Sequence, residues 1–134
     1  MKTKPMLALD DARRIASAAE TEAVAHQWNV VIAVCDDGGH LLLLHRMDGV
    51  APVSAAIAPA KARTAAIGKR ETKIYEEMIN GGRTAFLSAP LEGMLEGGVP
   101  IIVDGHVVGA VGVSGVKSPE DAQIARAGAA AVTA

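Results

Sequence analysis

The sequence predicts an α+β fold, an antiparallel sheet with helices packed on it, and two observations carry that prediction. Two runs of strand-type residues are each folded back by an Asp/Gly turn, over residues 30–46 and 99–114. Helical patterns lie before, between and after these hairpins, so the strands pair with their neighbours instead of crossing over in parallel.

Leu9-Asp10-Asp11, followed by Ala12, Ile15, Ala16, Ala19 and Ala23, has apolar spacing of three and four and predicts a helix with an Asp N-cap running to about Gln27. Val30 to Cys35 is a β-branched run of strand length. Asp36-Asp37-Gly38-Gly39 supplies the turn and His40 to Arg46 the returning strand. Because these strands are almost continuously apolar, both of their faces are expected to be covered.

Ser54 to Gly68 reads as a helix closed by glycine, with Pro59 implying either a kink or a start at that residue. Glu71 to about Asn80 reads as a shorter helix ended by Gly81-Gly82. Residues 83–98 are expected to be irregular, with at most one helical turn near Thr84 to Ser88, and a segment of that kind in a compact domain is often functional. Val99 to Val103, the Asp104-Gly105 turn and His106 to Ser114 form the second hairpin. Ser118-Pro119-Glu120-Asp121 opens the last helix, with Ser118 as N-cap and Pro119 at its first position.

Composition narrows the function classes. With 134 residues and no Pro/Ser-rich linker, residues 1–134 are read as one domain. Aromatic residues make up only 2% of the chain, so the interior is built from Ala, Val, Ile and Leu and buries modest area per residue. Association between copies is a source of further burial, and the small residues from Ala122 to Ala134 suit it. The net charge of −2 argues against a nucleic-acid binder held by phosphate contacts. Between Arg46 and Arg83, however, basic residues outnumber acidic ones, which marks the central third as the place for a small anion. Met6 to Leu9 is too short an apolar stretch for a signal-peptide core or a membrane span, and Cys35 has no second cysteine to pair with. The expectation is a cytoplasmic protein with no membrane partner.

Several blocks, in order, resemble the GlcG/HbpS family along almost the full length of the chain. They are Asp37-Gly38-Gly39-His40-Leu41, His45-Arg46-Met47-Asp48-Gly49, Lys61-Ala62-Arg63-Thr64-Ala65, Asn80-Gly81-Gly82-Arg83, Glu96-Gly97-Gly98-Val99-Pro100 and Val108 to Gly115. The resemblance implies a profilin-like sheet and a homo-oligomer, from dimer to octamer. It also implies the binding of haem or another small anionic ligand. Fold transfers along such a resemblance better than activity does.

The candidate residues carry alternatives. His45 can ligate iron or shuttle a proton, or hydrogen-bond inside the fold; Arg46 can clamp a carboxylate, or pair with Asp48. Lys61 and Thr64 share a helix face that Arg63 does not, and can hold an anion, with Lys61 as a possible base, or form surface and intersubunit contacts. Glu96 can act as a general base or brace its glycine-flanked loop. Cys35, His26, His40 and His106 lack zinc-site spacing, so no metal site is expected. No CxxCH signature is present, so any haem is noncovalent, and the glycines of residues 105–115 do not form a dinucleotide fingerprint.

Three functions follow as expectations. The first is a ligand pocket at a subunit boundary lined by His45, Arg46, Lys61, Arg63, Thr64 and Glu96. The second is a cofactor-free isomerase or hydro-lyase acting on a small carboxylate through His45, Lys61 or Glu96. The third is an accessory or assembly protein for a neighbouring enzyme.

Overall fold

A computed structural model describes residues 1–133. Its elements run α1 (Leu9–Ala25), β1 (Val31–Asp36), β2 (Leu41–Arg46), α2 (Ser54–Gly68), α3 (Thr72–Asn80), a 3-10 turn (Thr84–Ser88), β3 (Gly98–Val103), β4 (His106–Ser114) and α4 (Ser118–Ala129). The strands form one antiparallel sheet in the order β2-β1-β4-β3, so the two hairpins lie side by side with β1 paired to β4.

Strand alternation divides the core into two layers. Val31, Ala33 and Cys35 of β1 face α2, meeting Ala58, Ala62, Ala65 and Ala66. Ile32 and Val34, with Val111 and Val113 of β4, face the other way and pack with Ile15, Ala16 and Ala19 of α1 and Ile124 and Ala125 of α4. Because the helices present mainly alanine to the sheet, they approach closely. At Gly112 the approach is extreme: a Cβ there would fall 2.1 Å from the Ala58 carbonyl oxygen.

The predicted elements are all present, with local corrections. No Asp caps α1 from the N-cap position; Ala8 is the N-cap, and Asp11 reaches back to accept its N–H at 2.8 Å. Gln27 lies beyond the helix, in the left-handed region at φ 59°. Lys117, not Ser118, caps α4, and its N–H donates to Glu120 Oε1 at 3.3 Å. In both cases an acidic side chain at the third helical position does the capping, one half of a capping box. Of the two options for Pro59, a start there is excluded, since α2 begins at Ser54 and carries Pro59 inside it. The left-handed residue that closes α2 is Lys69 (φ 58°), one place beyond the expected glycine. Ala134, the end of the small-residue run, lies outside the described residues.

One expectation about the sheet fails. Of the two strands of the first hairpin, only β1 is covered on both faces; Leu41 of β2 is 53% exposed and Leu42, Leu43 and Leu44 are half-buried. The reason is position, since β2 is an outer strand and the helices are centred on β1 and β4. The opposite outer strand, β3, carries Pro100, which has no N–H to offer a further strand.

Replacing Gly112 by Ala must push α2 off the sheet, and a loss of about 1–3 kcal/mol or more is expected. Ile102→Thr on the exposed side of β3 is expected to change stability by no more than about 0.5 kcal/mol. Urea unfolding of the two variants checks the contrast.

Candidate functional site

Lys61 occupies the middle of α2, on the face turned to the sheet, and is 2% exposed. Its ammonium donates to the Val113 carbonyl at 2.9 Å and to Asp121 Oδ2 at 3.2 Å. Asp121 stands in the first turn of α4, on the other side of the sheet, and its second oxygen accepts the Val116 N–H at 3.1 Å. The side chain passes beside Gly97, where a Cβ would lie 2.7 Å from Lys61 Nζ. Burial pushes the Asp121 carboxyl up to about 6, outweighing the downward pull of the Lys61 charge and of the Val116 N–H. Lys61 is therefore a structural cation, neither a surface charge nor an accessible base.

Thr64, one turn along α2, is also spent internally, its hydroxyl donating to the Glu92 carbonyl. Thr72 at the start of α3 does the same work further along: its hydroxyl donates to Leu95 O at 2.5 Å and accepts the Gly98 N–H at 2.8 Å. Thr64 and Thr72 thus hold one segment, residues 92–98, against α2 and α3, and Lys61 borders it at Gly97. Glu96 belongs to that segment; it is 8% exposed, and its carboxylate has no hydrogen-bond or ion-pair partner among the described residues. Thr72 and Asp121 were missed in the sequence because each acts through a partner more than twenty residues away.

His45 and Arg46 sit at the end of β2 and point to opposite faces. His45 pairs with Ile32, hence with the α1 layer, and Arg46 with Val31, hence with the α2 layer. Within one chain, then, the six candidate residues do not line a single surface. Arg46 is exposed and, contrary to the structural alternative, makes no ion pair with Asp48. Arg63 is exposed on α2, its stem over the β1–β2 turn.

His45 has the least committed chemistry. Its imidazole side chain is 36% exposed, and Nδ1 is buried without a hydrogen-bond partner, its closest carboxylate being Glu20 Oε1 of α1 at 3.9 Å. Nε2 has no protein partner among the described residues. A carboxylate behind one ring nitrogen favours the tautomer with the proton on that side, leaving a lone pair on the other. No group of three or more His, Cys, Asp or Glu side chains able to hold a metal ion occurs among the described residues. Cys35 is buried, as its apolar neighbours predict, and desolvation pushes its thiol up to about 12.

An antiparallel sheet with one helix on one face and two on the other, open at β2, is an architecture already seen in solved proteins. The crystal structure of HbpS matches with a TM-score of 0.87 at 32% identity, covering 98% of this chain and 94% of that one. That of a PduOC:haem complex matches with a TM-score of 0.86 at 30% identity, covering 96% of each. In sequence, protein GlcG of Escherichia coli K12 is 60% identical over 114 residues, 85% of either chain. The family described as "Haem degrading protein HbpS-like" matches residues 7–130, and the chain belongs to that family.

Removing Lys61 leaves Asp121 buried and unpaired, so Lys61→Ala is expected to cost about 3–5 kcal/mol in urea unfolding. Asp121 holds its proton more tightly in the fold, at about 6, than at its ordinary 3.8. Its contribution to stability is accordingly complete below the lower value and lost as pH rises through the upper one. Asp121→Asn should remove that loss, which melting temperatures taken across the same interval will show.

Proposed function

We propose that the chain binds haem noncovalently, as a homo-oligomer, with His45 as the residue that would hold its iron. The observation that carries the reading is the state of that imidazole: Nδ1 is sheltered beside Glu20 while Nε2 is left without a protein partner. Buried ring nitrogens are otherwise usually hydrogen-bonded, and Nδ1 is not.

The surroundings fit the group. Leu43 pairs with Val34 and so shares the face of His45, and with half-buried Leu42 it offers apolar surface of the kind a porphyrin covers. Arg46, exposed and unpaired at the same strand end, can meet a carboxylate that reaches round the edge. Haem, when bound, supplies a redox-active iron; the chain supplies the nitrogen, its orientation and a partly dry wall. Similarity to the protein solved as a PduOC:haem complex supports the ligand's identity.

Because β2 leaves this face half open, a second copy is read as completing the pocket. Action in the cytoplasm is part of the same reading, and no helix among the described residues is long and apolar enough to cross a membrane.

Titrating the protein with haemin should give saturable binding with a shifted Soret band, and His45→Ala should weaken it by roughly tenfold or more. No shift in the wild type, or an unchanged spectrum and affinity in His45→Ala, would remove His45 and haem from the account.

A further inference from the structure

A groove of about 430 Å³ lies away from His45, between α2 and the segment that follows the 3-10 turn, lined by Ala60, Arg63, Thr64, Ala89, Pro90, Leu91 and Glu92. Its two charged side chains are opposite in sign and are not paired. Arg63 and Glu92 are both exposed, and neither has an oppositely charged group within 4.0 Å among the described residues.

Arg63 is fixed from below. Its stem lies over the β1–β2 turn, so close that a Cβ on Gly39 would fall 2.5 Å from Arg63 Cγ. The backbone that carries Glu92 is fastened to the same helix, since Thr64, the neighbour of Arg63 on α2, donates its hydroxyl to the Glu92 carbonyl. The groove is therefore braced with a guanidinium on one side and a carboxylate on the other, and the floor between them, Ala60 with Ala89, Pro90 and Leu91, is apolar.

We propose that this groove binds a small zwitterion of the amino-acid type with an apolar side chain. The ligand carboxylate meets the Arg63 fork, its ammonium meets Glu92, and its side chain covers the apolar floor. The volume is of the size in which small molecules are held. A simple carboxylate would leave Glu92 without a cation to meet, and an amine would leave Arg63 without an anion. This site is independent of the haem reading, and neither outcome of the haemin titration bears on it.

The probe is L-leucine, followed by calorimetry and by amide NMR shifts on the full chain. Saturable binding is expected, with shifts at residues 60–64 and 89–92. Leucinamide and 4-methylpentanoate, which lack the carboxylate and the ammonium respectively, should each bind about tenfold more weakly or worse. Arg63→Gln should lose leucine binding, and Glu92→Gln should lose the preference for leucine over 4-methylpentanoate. Circular dichroism and an unchanged urea midpoint verify that both variants are folded. No saturable binding of leucine, equal binding of 4-methylpentanoate by the wild type, or affinity unchanged in Arg63→Gln would each overturn the proposal.

Discussion

The Lys61–Asp121 pair is the constraint on which the rest of the structure depends. Most of this core is alanine and valine, which fit against one another in several registers at similar energy. A buried cation has no such tolerance, because an ammonium that misses its partners bears the full cost of desolvation. Lys61 must find both the Val113 carbonyl and Asp121, and in doing so it sets α2, the end of β4 and the start of α4 relative to one another. The passage beside Gly97 is open only because that residue has no side chain. Two helices on opposite faces of a sheet are thereby joined by one side chain.

That economy decides what is left for ligands. Ser54, Lys61, Thr64 and Thr72 are polar residues that α2 and α3 turn inward, and all are engaged in holding β4, residues 92–98 or α4. Chemistry available to a ligand sits instead on side chains that the fold positions without bonding. His45 is held by β1 pairing on one side and by α1 behind it, and Arg63 by the turn beneath its stem. Arg46 is left exposed on the other face of the same strand.

Much of this was legible in the sequence, and the parts that were not share a physical cause. Hairpins and helices were readable because their signals are local: β-branched runs, Asp-Gly turns, apolar spacing. The helix caps differ from expectation because the local competition is close, and acidic residues at the third position take the role expected of an N-cap Asp and of Ser118. Lys61 and Thr64 were correctly seen to share a face, but a shared face does not say what lies opposite it. The partner Asp121 is sixty residues on, where it reads as an ordinary acid favoured by a helix dipole. Whether β2 was central or marginal could not be read either, since strand order follows from tertiary pairing and the leucine run suits both positions.

The two margins of the sheet are unlike. β2 ends in a row of unpaired backbone groups and half-covered leucines, whereas β3 presents Pro100. Strand addition has in consequence a direction and a stopping point. A chain that joins another through β2 has used its one receptive margin, and the doubled sheet then ends in a proline-bearing strand on either side. Growth by this route beyond two chains, as towards a fibre, is disfavoured by the missing N–H of Pro100. A larger assembly is more readily built through the helical surfaces.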